Sequence, residues 1–202
     1  MKLIYAAASP FARKVRVLAS EIGLLDSIEM IDTAVLPIKA NDMVNQLNPL
    51  AKIPVLLTTT GESLYDSRVI CEYLDSLHAG PTLFPQEPTA RWTALKLAAL
   101  ADGLMDAALL VRYENAVRPQ ELQWDDWKSG QLDKVTRALQ ALEDSSADLS
   151  GPLDIAQISV ACALGYLDFR FPELAWRQDR PKLQAFHAAF SDRESMRTSA
   201  PV

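Results

Sequence analysis

The chain has 202 residues, more than a single domain of the usual ~100–150 residues needs, so two compact units are expected. Hydrophobic residues make up 49% and charged residues 23%, a balance that builds a core under a polar surface and excludes a disordered chain. The net charge is −6 with no basic block to track a phosphate backbone, no run reaches the ~18 apolar residues of a membrane span, and the first residues lack a leader's apolar stretch; these features exclude nucleic acid and membrane as partners and imply a cytoplasmic protein.

Lys2–Tyr5 is a short β-prone run. Ser9-Pro10 then opens a helix that carries Val15, Val17, Leu18 and Ile22 and closes at Gly23; serine at the N-cap, proline at the first helical position and glycine past the end mark both termini. Ile28–Ile31 reads as a second strand and Thr33–Asn48 as a polar, irregular segment. Ile53–Leu57 and Glu62–Tyr65 flank Thr58–Gly61 in the pattern of a hairpin. Asp66 to about Leu77 is an amphipathic helix with Val69, Ile70, Tyr73, Leu74 and Leu77 inward. The order is βαβαββα, an α/β unit over residues 1–78.

Ala79-Gly80-Pro81 and the prolines from Pro85 to Pro88 read as a linker over 79–88, with an all-helical domain over 89–202 beyond it. Thr89 to about Val117 is a long helix with two stripes. At roughly 100° per residue, Leu97, Leu100, Leu104 and Val111 fall on one side, and Trp92, Leu95, Ala99, Asp102, Asp106, Leu109 and Tyr113 on the other. Two apolar stripes predict two buried contacts, one in the bundle and one towards a cleft or a second subunit; the carboxylates on the second stripe then need solvent, a cation or a ligand amine beside them. A helix follows from about Trp124 to Asp144. Another starts after Asp154, where Asp154 as N-cap, Gln157 as its reciprocal partner and the Leu153/Ile158 staple specify the start of the bundle's central helix. A last helix begins near Pro181 and carries Leu183, Phe186 and Phe190. The two cysteines, Cys71 and Cys162, read as core thiols, and the two histidines, His78 and His187, lack neighbours at ligand spacing, so no metal site is expected.

Three segments of the first domain favour one kind of ligand. Ser9 to Val15 places a hydroxyl at a strand end and helix start, where the dipole and free N–H groups favour an anion such as a thiolate; the same serine can be only a helix cap. Asn48 to Val55 puts Pro54 at the start of a strand, which suits either a rigid loop or a cis bond that frees backbone groups to pair with an extended peptide. Asp66 and Ser67 open the next helix, either as its cap or as the holder of an amino-acid head group.

Together these segments resemble, in order and spacing, the glutathione S-transferase superfamily, in the bacterial cytosolic branch that uses a serine. The resemblance extends over nearly the whole chain, through NPLAKIPVL, YDSRVICEYL, ALADGLMDA, LDIAQISVACALGYLDFR and the closing RTSAP. It implies a thioredoxin-like first domain that binds glutathione as co-substrate, an all-α second domain that helps hold a small hydrophobic electrophile, and a homodimeric, detoxifying transferase. By that resemblance Ser9 hydrogen-bonds the glutathione sulfur, Phe11 lies beside it, Pro54 is cis, the Ile53 backbone pairs with the cysteinyl part, and Asp66 with Ser67 holds the γ-glutamyl end. Phe11, Leu109 and Tyr113 are then expected in the electrophile pocket, and Asp102 or Asp106 within reach of the glutathione amine bound to the other subunit.

The sequence also departs from the family pattern. Asp66 stands where glutamate is more frequent and is one methylene shorter, and Gln157 stands where aspartate is usual. Serine rather than cysteine at position 9 argues against disulfide exchange, which needs a nucleophilic sulfur. Tyr5 competes with Ser9 because another branch uses a tyrosine at the end of the first strand, yet four residues before Ser9 it reads as a packed strand residue. Two alternatives to conjugation share this first domain: a binding or regulatory protein without turnover, and a glutathione-dependent isomerase or dehalogenase.

Overall fold

The computed structural model describes residues 1–201. Its elements in chain order are β1 (Lys2–Tyr5), α1 (Pro10–Glu21), β2 (Glu29–Asp32), α2 (Asp42–Leu47), β3 (Val55–Leu57), β4 (Ser63–Leu64), α3 (Ser67–Asp75), α4 (Pro88–Ala116), α5 (Asp125–Asp144), α6 (Ile155–Arg170), α7 (Pro181–Ser191) and α8 (Glu194–Thr198). The mixed sheet and the helical second half agree with the expected architecture. Helix α2 occupies part of the segment read as irregular, started by the Asn41 side chain, which accepts from the Val44 N–H at 3.1 Å.

Two compact units form, Met1–Phe84 with the segment from Arg193 onward, and Pro85–Asp192. This corrects the expected division at 78 and 89, because the C-terminal residues belong to the first unit and not to the helical one. The cause lies on α1. The buried Arg13 guanidinium donates to the Met196 carbonyl at 3.0 Å and to the Ser199 hydroxyl at 3.3 Å, and Arg16 donates to the Thr198 carbonyl. Glu21 accepts from Arg193 at 2.6 and 2.8 Å and from the Ser195 hydroxyl. The Arg193 hydrogen bond holds the Glu21 carboxyl below its ordinary value of 4.5, against the opposing effect of burial. A lowered carboxylate contributes stability that is fully present above its unfolded pKa and is lost as pH falls through the folded one. Glu21→Gln is therefore expected to destabilise the protein by less than about 1 kcal/mol at neutral pH, since Arg193 is partly exposed. The gap between the two denaturation curves should close in acid, and a gap that widens there would contradict the assignment.

In the first unit the sheet order is β2-β1-β3-β4. Strand β1 runs parallel to β2, with Ile4 opposite Ile31, and antiparallel to β3, with Ile4 opposite Val55; β3 pairs antiparallel with β4, Leu56 opposite Leu64. Both faces of the central strands are covered, since Leu3, Ile4, Val55 and Leu56 are all buried. On one face Ile4 and Val55 pack with Val44 of α2 and with Ile31, Val35, Leu47 and Ile53. Helices α1 and α3 pack together, and α3 touches β3. The α1 end is a Schellman turn: Leu24 N–H bonds the Ala19 carbonyl and Gly23 N–H the Ser20 carbonyl, with Gly23 at φ 73°. The buried side of α3 is Ser67, Ile70, Cys71, Leu74 and Asp75, so Val69 and Leu77, expected inward, are exposed instead. The carboxylate of Asp75 draws the helix face round, because it accepts from the Leu83 and Phe84 N–H groups at 2.7 and 3.1 Å.

In the second unit α4 packs against α5 and α6, and α7 against α5 and α6. Every residue of α6 from Ile155 to Leu167 is buried, which makes it the central helix as its apolar run predicts. Its N-cap is the expected one, Asp154 accepting from Gln157 N–H at 3.1 Å, while the Gln157 amide donates outward to the Pro152 carbonyl at 3.0 Å. Asp154→Ala should cost about 1 kcal/mol of stability, and Asp154→Asn much less, in thermal or urea unfolding. The α4 stripes differ from expectation: Asp102 is buried, whereas Trp92, Ala99 and Asp106 of the same stripe are exposed. A straight helix drifts across its neighbours along this length, so one stripe need not stay covered throughout. Helix α7 has no capping side chain of its own; Glu143 of α5 serves, accepting from Lys182 and Leu183 N–H at 3.1 and 2.8 Å. Among the described residues no helix is long and apolar enough to cross a membrane.

Candidate functional site

Strand direction alone brings the three sequence segments to one end of the sheet. Strand β1 runs towards that end and finishes at Tyr5; β3, antiparallel to it, starts there after Pro54; β4, antiparallel again, finishes there before Tyr65. The Ser9, Ile53-Pro54 and Asp66-Ser67 segments are thus neighbours although nearly sixty residues separate the first from the last. Helices α1 and α3 both begin at this end, so two positive helix termini address the same region.

Ser9 is the N-cap of α1: its backbone is extended, and its Oγ accepts from Ala12 N–H at 3.2 Å. Accepting in this way leaves the hydroxyl hydrogen available to an anion, so the cap and the thiolate-donor readings are compatible in one side chain. Pro10 brings no N–H, and Phe11, half-buried, supplies the next first-turn N–H, a group that the helix itself leaves without an acceptor. Tyr5 is half-buried on β1 with the Arg16 guanidinium 5.2 Å from its ring centroid.

The second segment turns on a residue to which the sequence reading gave no role. Asn48 is 2% exposed. Its amide donates to the Lys52 carbonyl at 2.9 Å, its side-chain oxygen accepts from Leu50 N–H at 3.0 Å, and its carbonyl accepts from Ala51 N–H at 2.9 Å. These bonds fix a tight loop with Ala51 at φ 55° and deliver Ile53 to the sheet end. The Asn-Pro pair was the available signal, since asparagine commonly bonds backbone groups two to four residues on. The Ile53–Pro54 peptide is cis, as expected. The ladder begins at Val55, and the Ile53 side chain packs on the Ile4/Val55 cluster, which leaves its main chain at the rim of the sheet.

In the third segment the Tyr65–Asp66 peptide is also cis. Asp66 is exposed and caps α3, one carboxylate oxygen accepting from Arg68 N–H at 3.0 Å; Ser67 beside it is buried. An exposed carboxylate next to the N–H groups of a helix start can hold an ammonium and a carboxylate side by side, which is the pairing an α-amino acid presents.

The other expected site residues lie on α4. Leu109 and Tyr113 are half-buried, and burial pushes the Tyr113 phenol pKa up. Of the two carboxylates, Asp102 is 1% exposed and Asp106 is exposed, so Asp106 is the one accessible at the surface of the single chain. Cys71 and Cys162 are fully buried and neither is in a disulfide.

Comparison with known proteins converges on one family. Residues 8–77 match the glutathione S-transferase N-terminal domain, and residues 125–189 the glutathione S-transferase C-terminal domain. The chain is 38% identical over 204 residues to the uncharacterized GST-like protein YibF of Escherichia coli K12, covering 100% of this chain and 98% of that one. A glutathione transferase family member from Pseudomonas fluorescens Pf-5, solved with bound glutathione, is similar at 50% identity and a TM-score of 0.98, covering 100% of this chain and 98% of that one. A Pseudomonas fluorescens Pf-5 structure with bound S-(propanoic acid)-glutathione matches at 49% identity and a TM-score of 0.92, with complete coverage of both chains.

Proposed function

Because the chain belongs to the glutathione S-transferase superfamily, we propose that it binds glutathione at the sheet end of its first unit, stabilises the thiolate through Ser9, and adds that sulfur to a small electrophile. The observation that carries this reading is the Ser9 cap: a hydroxyl already oriented by Ala12 N–H at a helix N-terminus, at the same sheet end as Pro54 and Asp66.

The chemistry follows from the thiol. At a pKa of ~8.5 only a few per cent is ionised at neutral pH, and the thiolate is the nucleophile. A hydrogen bond to a charged acceptor contributes ~1.5–3 kcal/mol, or about 1–2 pKa units, which brings bound glutathione to substantial ionisation without a general base. Asp66 takes the γ-glutamyl ammonium, the N–H groups around Ser67 its carboxylate, and the Ile53 main chain the cysteinyl peptide. These contacts hold the tripeptide while the sulfur forms its bond to carbon and the leaving group or the displaced electron pair departs.

The relatives support ligand and product class alike, since one was solved with glutathione and one with a thioether of it. We further propose a cytoplasmic homodimer, with Asp106 as the accessible carboxylate of the α4 stripe. Retention on immobilised glutathione, combined with mass identification of products from a panel of electrophiles, tests the reading. A thioether product supports conjugation. Retention with no product would instead identify a binding protein, and a rearranged or dehalogenated product would identify the isomerase or dehalogenase.

A further inference from the structure

The connection from α4 to α5 is built around one buried carboxylate. Glu114, in the last turn of α4, is 6% exposed, and both of its oxygens are engaged: Oε1 accepts from the Trp124 N–H at 2.9 Å and Oε2 from the Arg118 Nε at 2.8 Å. Trp124 is the N-cap of α5 and brings no capping side chain of its own, so Glu114 satisfies a main-chain donor where the chain enters that helix. The Gln123 amide donates to the Asn115 and Arg118 carbonyls, both at 3.3 Å, and ties the same loop to the end of α4.

A cavity of about 280 Å³ lies beside this ion pair, lined by Glu114, Arg118, Leu122, Trp124 and Trp127, all of them within the second unit. The carboxylate is buried and saturated, whereas the Arg118 side chain is 51% exposed and, among the described residues, its two terminal nitrogens have no acceptor. The pair therefore offers its positive end to a ligand. Asp125, at the start of α5, is paired with Lys128 at 2.6 Å, and neither it nor Glu121 nor Asp126 lines the space. Leu122 and Trp124 are 61% and 62% exposed, and Trp127 is half-buried. Large apolar side chains left in water around a concave surface, with one guanidinium among them, have the composition of a small-molecule site. The volume lies near the lower end of the ~300–1,000 Å³ that such sites span, which leaves room for one or two fused rings and excludes a nucleotide.

We propose that this cavity binds a planar aromatic carboxylate, with its rings against the Trp124 and Trp127 indoles and its carboxylate on the outer edge of the Arg118 guanidinium. An indole offers a large flat surface for a second ring, and a guanidinium offers parallel N–H donors at the spacing of a carboxylate. A cation is disfavoured there because the one lining carboxylate already has both oxygens engaged. No bond is made or broken at this site. It lies in the other unit from the Ser9, Pro54 and Asp66 segments, so it stands independently of the glutathione chemistry assigned to them.

Calorimetric titration of the full chain with 1-naphthoate, 1-naphthamide and cyclohexanecarboxylate tests the site. Naphthoate should bind about tenfold tighter than the amide, as one charge-assisted contact at a half-exposed guanidinium gives, and about fivefold tighter than the non-aromatic acid. Saturating glutathione should leave that affinity unchanged. Arg118→Gln should close the gap between acid and amide, and Arg118→Lys should restore part of it. Trp124→Ala removes an exposed side chain and keeps the backbone bond to Glu114, so it should weaken both naphthyl ligands about fivefold with an unchanged melting curve. Equal affinities for acid and amide in the unaltered protein, naphthoate binding undiminished by Arg118→Gln and Trp124→Ala, or its displacement by glutathione would each overturn the site. So would a Trp124→Ala variant that binds naphthoate normally and changes its oligomeric state, since the exposed indole would then serve a protein contact.

Discussion

Ser9→Ala is expected to lower turnover roughly ten- to a hundredfold at neutral pH while glutathione affinity falls only slightly. The contacts assigned to Ile53, Asp66 and Ser67 remain in the variant, so the ground state stays bound. What is lost is one hydrogen bond to the thiolate, and with it about 1–2 units of pKa depression. The sign is fixed by charge: removing a donor that favours the anion raises the thiol pKa, so the pH–rate curve moves towards alkali and the deficit shrinks as more thiolate forms unaided. The substitution also removes the acceptor for Ala12 N–H, at about 1 kcal/mol of stability. Melting curves measured alongside separate that loss from the kinetic one. Titration of the thiolate absorbance of bound glutathione decides the matter. Superimposable curves for wild type and variant would reduce Ser9 to a helix cap and move attention to Tyr5.

For Asp66 the largest expected change is in binding. Asp66→Asn keeps a side-chain oxygen for Arg68 N–H, and asparagine caps helices as well as aspartate does, so stability should hardly move. The charge opposite the γ-glutamyl ammonium is gone, and affinity for glutathione should fall about ten- to a hundredfold, the effect of one charged hydrogen bond. Asp66→Ala should show the same weakening and an added loss of about 1 kcal/mol in stability. Asp66→Glu restores the charge with one more methylene, and its affinity measures whether the shorter side chain limits reach. Calorimetric titration of the three variants with glutathione gives the comparison, and wild-type affinity in the Asn variant would remove Asp66 from the site.

Much of this was legible in the sequence because it is encoded within four or five residues. Ser9-Pro10 and Gly23 bound α1 and Asp154 starts α6, each from a local backbone requirement, whereas the cis Pro54 was implied by the family resemblance and not by its neighbours. The alternation of strand and helix patterns likewise carries the βαβαββα order, and with it the sheet end at which three distant segments meet. The tertiary structure decided what depends on residues far apart in the chain. Arg13 and Glu21 hold residues 193 to 199 against α1, which moved the domain boundary. Asp75 turned the buried side of α3 away from Val69, and Glu143 caps a helix forty residues on. Helical and strand periodicity report which side of an element is apolar. They carry no record of which partner covers it, because that contact is chosen by burial and charge across the whole chain.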